Sequence, residues 1–266
     1  MVSLSKFVED SAEELEKKVL QMESEFLDNY VYDYLAEFDS IDGVLTNEAA
    51  NLNRINGTHS IFDKAFDGFL ASFLVWFGAR ILEGAHKGIA HFQDIGINVK
   101  FSEVSFIEKQ VGLVKGKIVK GSYLWNLGQM SEVRMKFQEH VLHAIQTGQR
   151  TNLFLRNIKT LIKSTPETRS LFSKYYMKYA GDAVGQTLNT VSLIIADKNG
   201  LDKFLYEGSL VKDSRPFCIA HAGNTYTRAD AKHFDLMEWK GKNNELPFLI
   251  AAGGYQCGHI IKWLKK

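Results

Sequence analysis

The chain has 266 residues, 45% of them hydrophobic and 24% charged, with a net charge of +1 and two cysteines. That is ordinary globular balance, enough chain for one large or two modest domains, and too little cysteine for a disulfide scaffold. It excludes low-complexity, collagenous and disulfide-rich secreted classes, and the acidic opening "MVSLSKFVEDSAEELEKK" lacks the apolar core of a secretory signal.

The charge is unevenly spread. Residues 1–50 hold 13 acidic and 3 basic side chains, a balance of −10, whereas residues 101–180 hold 13 basic and 5 acidic, a balance of +8. Such asymmetry fits either two solvated faces or contact with nucleic acid or an acidic partner.

Only three prolines occur, one of them in the first 200 residues, which favours a helical body. Ala12, Leu15, Val19, Met22 and Phe26 recur at helical spacing and predict an amphipathic N-terminal helix. Its stripe is expected to pack on the body or to serve as an oligomerising, partner-docking element. Residues 59–92 predict a long buried helix. Its charge-free run "GFLASFLVWFGA" is 12 residues, short of the ~18–20 that cross a bilayer, so no membrane partner is expected. His86 and His91 are five apart and do not share a helix face. His140 and His143 do, but without an HExxH-type carboxylate they read as ordinary helix histidines.

"GKIVKGS" departs from a phosphate-binding P-loop because Ser122 stands where the lysine belongs; a turn-containing connector fits better. Thr165, Pro166 and Glu167 predict the start of a long helix over residues 166–196, ending near Gly200. Gly181 and Gly185, on one face of it, suit a close helix crossing. After Gly200 the pattern changes to a strand in "KFLYEG", a turn in "KDSRP", a hairpin leading into a short helix, and a closing strand in "GGYQCGHIIKW". The expected fold class is mainly α with a small α+β C-terminal module: a helical body over residues 1–200 and a short antiparallel β-unit with a helix over residues 201–266.

Both cysteines lie in that module, each with a nearby histidine. Cys218 and His221 are three apart; Cys257 and His259 are two apart and, in extended chain, face one side. Together they could supply the S₂N₂ donor set that zinc prefers, so a structural zinc is the one cofactor the sequence suggests. A Cys218–Cys257 disulfide and plain packing of reduced cysteines are the other two readings. Asp213 and Arg215 read as a turn pair. A Cys218 dyad with His221 or His259 is the sole nucleophile–base frame.

In order, the module carries Tyr206, Gly208, Asp213, Ser214, Arg215, Cys218, Trp239, Gly241, Gly253, Gly254, Tyr255, Cys257 and His259. This order resembles the C-terminal module of phage head morphogenesis proteins, the minor head protein family named after the F protein of phage Mu. The resemblance covers roughly the last 65 residues. It departs in one place, where Gly258 stands instead of the family's usual arginine. It implies a non-enzymatic virion protein, assembled in the host cytoplasm in multiple copies or as a homo-oligomer. Its partners would be the portal or major capsid protein, with packaged DNA reached through the basic 101–180 region. The alternative is a zinc- or cysteine-dependent enzyme, such as a nuclease or effector, packaged with the particle.

Overall fold

A computed structural model describes residues 3–99, 108–109 and 111–265, except for the side chains of residues 56 and 59. The protein is mainly α, 63% helical, with a few short antiparallel strands in small sheets. It divides into two compact units, one comprising Met1–Glu14, Phe77–Val119 and Ala180–Lys266, the other Leu15–Trp76 and Lys120–Tyr179. This partition is not a break at residue 200. The unit holding the C-terminal β-structure also takes the two chain segments at 1–14 and 77–119, because apolar faces there are buried with it.

The second unit is helical. Helix α1 (Leu4–Phe26) runs into it from Leu15, burying Leu15, Val19, Met22 and Phe26 at the expected spacing. The Phe26 ring meets Phe62 at 5.0 Å and Phe172 at 5.8 Å. The stripe therefore packs on the chain's own body, the first of its two expected roles. After a short wide turn and α2 (Tyr32–Ala36), a two-stranded ribbon of β1 (Ser40–Ile41) and β2 (Val44–Leu45) leads to α3 (Ala49–Arg54). Asn51, 0% exposed, holds this corner: its amide donates to the carbonyls of Asp39 and Thr46 at 2.9 and 2.8 Å, and its oxygen accepts from the Asp39 N–H at 3.0 Å.

The long helix expected over 59–92 is present but interrupted. α4 (Thr58–Ala65) and α5 (Ala71–Asp94) are joined by a wide turn at Phe66–Leu70, where Gly68 leaves helical geometry (φ −93°, ψ −119°). A side chain at Gly68 would stand 2.5 Å from the Tyr30 hydroxyl, so the helix bends where Tyr30 packs. The 35-residue run Ser60–Asp94 contains an 18-residue stretch of mean hydropathy 1.5 and is by length and composition long and apolar enough to cross a membrane. The 12-residue estimate counted only its charge-free part. Its apolar stripe is buried within the protein: Phe66, Leu70 and Leu74 in the helical unit, Phe77, Ile81, Ala85, Ile89 and Phe92 in the other.

The helical unit is completed by α6 (Tyr123–Gln129), α7 (Ser131–Gln146), α8 (Thr151–Ile162) and α9 (Leu171–Tyr179). Ser122, the residue that spoils the P-loop, caps α6 by accepting from the Trp125 N–H at 3.3 Å. α7 buries Val133, Phe137, Val141 and Ile145, and α8 buries Phe154, Ile158 and Ile162, both at helical spacing. The helix expected over 166–196 is two helices. Residues 164–170 are loop, fixed by the buried Glu23 carboxylate, which accepts from the Ser164 N–H (2.9 Å), the Ser164 hydroxyl (2.8 Å) and the Ser170 hydroxyl. Ser170, rather than Thr165, caps α9 through the Ser173 N–H at 2.9 Å. Residues 180–182 then turn, with glycine at 181, before α10 (Ala183–Lys198).

In the unit holding the termini, α1, α5 and α10 pack closely at glycines. A Cβ on Gly84 would lie 3.1 Å from Phe7 and 3.3 Å from Val184, and one on Gly185 would lie 3.4 Å from Val8. The connector at 113–118 is a hairpin, β3 (Leu113–Val114) with β4 (Lys117–Ile118). Residues 101–107 and 110 of the basic segment lie outside the described residues. β5 (Lys203–Glu207) is the central strand of a three-stranded antiparallel sheet, between β6 (Thr225–Thr227) and β7 (Ile260–Trp263). Its alternation buries Phe204 and Tyr206, which face an aromatic core of Phe217, Phe234 and Phe248. α11 (Pro216–His221) follows β5. α12 (Arg228–Leu236) starts at a reciprocal cap between Thr227 and Asp230, and α13 (Phe248–Ala251) precedes β7.

Candidate metal centre

The site is built where α11, β5 and the approach to β7 meet. Cys218 lies on α11 and is 2% exposed; His259, 5% exposed, and the half-buried Cys257 lie in the extended stretch just before β7. Donor atoms of these three residues all lie within 4.8 Å of one another, and no other such group of His, Cys, Asp or Glu occurs among the described residues. His259 Nδ1 is 3.5 Å from Cys257 Sγ. From β5, the Tyr206 hydroxyl reaches Cys218 Sγ at 3.4 Å and Cys257 Sγ at 3.6 Å. Both cysteines are free thiols.

The surrounding backbone is shaped to this cluster. A Cβ on Gly253 would lie 2.5 Å from Tyr206 Oη, 2.6 Å from Cys257 Sγ and 2.8 Å from Cys218 Sγ, so only glycine fits. A Cβ on Gly208 would come within 2.5 Å of the His259 ring. Gly254 has φ +102°, a left-handed conformation that lets the chain reverse beside Gly241. Trp239 donates its indole N–H to the Gly253 carbonyl at 2.9 Å and stacks on Phe217, ring centroids 4.0 Å apart. Arg215 donates to the Tyr255 carbonyl across forty residues of sequence, and the Tyr255 N–H donates to the Gly241 carbonyl at 2.9 Å.

Electrostatically the two thiols behave as a pair. The hydrogen bond from Cys257 pulls the Cys218 thiol well below its ordinary range against the cost of burial, with His259 and Tyr206 adding to the effect. The same bond, together with burial, pushes Cys257 up. Burial also drives the Tyr206 phenol upward, so it stays neutral with its oxygen facing both sulfurs.

Of the four residues picked from spacing, the fold brings together Cys218, Cys257 and His259. His221 is elsewhere: its Nδ1 pairs with the Tyr226 hydroxyl at 2.7 Å and its ring packs on Phe217, with burial pushing its pKa down. One helical turn after Cys218, it points to the β6 side of the module. In the "KDSRP" turn, the Ser214 hydroxyl, not Asp213, accepts from the backbone at Val211 N, 2.8 Å away. Arg215 leaves the turn altogether. His140 and His143 are exposed on α7. Tyr206 is the site residue that spacing did not single out. Alternation in "KFLYEG" was the available signal, since it puts Phe204 and Tyr206 on one buried face.

No family model matches this chain, and no curated protein or solved structure matches it either.

Proposed function

We propose that the chain is a structural virion protein, a minor head protein acting in phage head morphogenesis at the portal or inner capsid surface. The observation that carries this reading is the convergence of the resembling residues. Tyr206, Gly208, Arg215, Cys218, Trp239, Gly241, Gly253, Gly254, Tyr255, Cys257 and His259 hold one another through the contacts above. Scattered over 54 positions of sequence, they act as one structural motif rather than as a set of chance dipeptides. The burial of Cys218, 2% exposed, supports an architectural role over attack on a substrate. The basic stretch supports DNA as a secondary partner, although Arg134, Arg169 and Lys178 already pair with Asp63, Glu16 and Glu132.

The test is co-expression with the portal and major capsid proteins of the same virus, followed by affinity capture and cross-linking. Capture of portal or capsid protein at fixed stoichiometry supports the reading. A chain that stays alone in the presence of both contradicts it.

A further inference from the structure

We propose that Cys218, Cys257 and His259 bind one zinc ion, with the Tyr206 phenol oxygen at the fourth corner. This site is independent of the virion reading and is defined by distances. Around a tetrahedral zinc, with sulfur at about 2.3 Å and nitrogen or oxygen at about 2.0–2.1 Å, neighbouring sulfur and nitrogen or oxygen donors stand about 3.6 Å apart. Here the Cys257 Sγ to His259 Nδ1 edge is 3.5 Å, and the two edges from Tyr206 Oη to sulfur are 3.4 and 3.6 Å. The remaining separations among the three ligating residues are all below 4.8 Å.

The chemistry agrees with the geometry. Two thiolates and an imidazole form a donor set of the softness that selects zinc over magnesium or calcium. A disulfide would consume both sulfurs and leave His259, 5% exposed, facing only a weak acceptor. Its Nε2 is already buried without a hydrogen-bond partner, so the imidazole would then lack a strong partner on either nitrogen. A metal instead gives Nδ1 its strongest available interaction. Stacking on Tyr206, with ring centroids 4.7 Å apart, fixes the ring plane beforehand.

The ion would clip three elements that are distant in sequence: β5, α11 and the lead-in to β7. A module of about sixty residues has little core of its own, and metal affinity there is folding free energy.

The test uses the full-length chain, purified without an affinity tag that binds metal. Elemental analysis is expected to find one zinc per chain. Replacement by cobalt(II) is expected to give a thiolate-to-metal charge-transfer band and intense tetrahedral ligand-field bands that saturate at one equivalent. Both thiols should resist a thiol reagent until a chelator is added. Cys257→Ser and His259→Ala should each lower the bound metal, and Tyr206→Phe should weaken it while keeping the sulfur band. If a variant does not fold, the wild-type cobalt titration still decides. Two freely titrating thiols with no metal bound, or a mass two hydrogen atoms lower from a disulfide, would overturn the proposal.

Discussion

The imidazole of His259 lies flat on the phenol of Tyr206, ring centroids 4.7 Å apart and planes 14° from parallel. The two residues belong to different elements and are held in register where Tyr206 pairs with Ile261 across β5 and β7. Much of the C-terminal motif gathers around this stack: glycines where side chains would intrude, two thiols within reach of the Tyr206 hydroxyl, and an indole holding the turn.

That closeness makes the module intolerant of a single methyl group. Gly253→Ala would place carbon 2.5–2.8 Å from Tyr206 Oη and both sulfurs, and a cost of roughly 1–3 kcal/mol is expected from overpacking. Hydrogen exchange should speed up around residues 203–218 and 257–263 while Val133–Ile145 in α7 stays protected. The matched control is Gly57→Ala, whose Cβ would meet Tyr34 at an ordinary 3.6 Å and should change little.

Asn189, 1% exposed on α10, bridges two other elements. Its oxygen accepts from the Ile261 N–H at 2.9 Å and its amide donates to the Ile250 carbonyl at 3.0 Å. Asn189→Ala leaves both groups unpaired, at an expected cost of about 2–4 kcal/mol. The denaturant midpoint should fall accordingly, and the Ile261 amide should lose protection first.

Sequence patterning carried the architecture wherever a single element determined its own form. The stripe of α1, the helical character of residues 59–92 and the order of strand, helix and strand after Gly200 each follow from local spacing, turn residues and a cap. What failed depended on distant partners. The bend at Gly68 lies against Tyr30, where only glycine fits, and the loop before α9 is gathered by Glu23 through Ser164 and Ser170. At the site, three-residue spacing suggested His221, yet the group joining the two thiols is Tyr206, twelve residues before one and fifty-one before the other.

Stability should depend on pH through Asp182. Burial pushes its carboxyl up to about 6 from 3.8, opposed by the hydrogen bond from the Gln256 N–H and by the Arg215 charge. The folded state then holds the proton more tightly than the unfolded state. Its contribution is full below about pH 4 and is lost as pH rises through about 6, a change of order 3 kcal/mol. Asp182→Asn should match wild type near pH 4 and exceed it near pH 7, measured by denaturant unfolding at each pH. Curves that run parallel across that window would remove Asp182 as the cause.

The basic segment predicts measurable affinity for duplex DNA at ~50 mM salt, with log affinity falling linearly against log salt as counterions are released. Charge reversal of the exposed hairpin lysines, Lys115→Glu with Lys117→Glu, should weaken binding and flatten the slope. Absence of binding at that salt would strike DNA from the partners.

The proposed virion role is tested most directly by quantitative mass spectrometry of purified, DNA-filled heads of the phage proposed to carry this chain. The protein is expected in the particle at a fixed copy number, far below that of the major capsid protein, and cross-linked to the portal or inner shell. Its absence from intact heads, with the free protein recovered only from the lysate, would overturn the virion role.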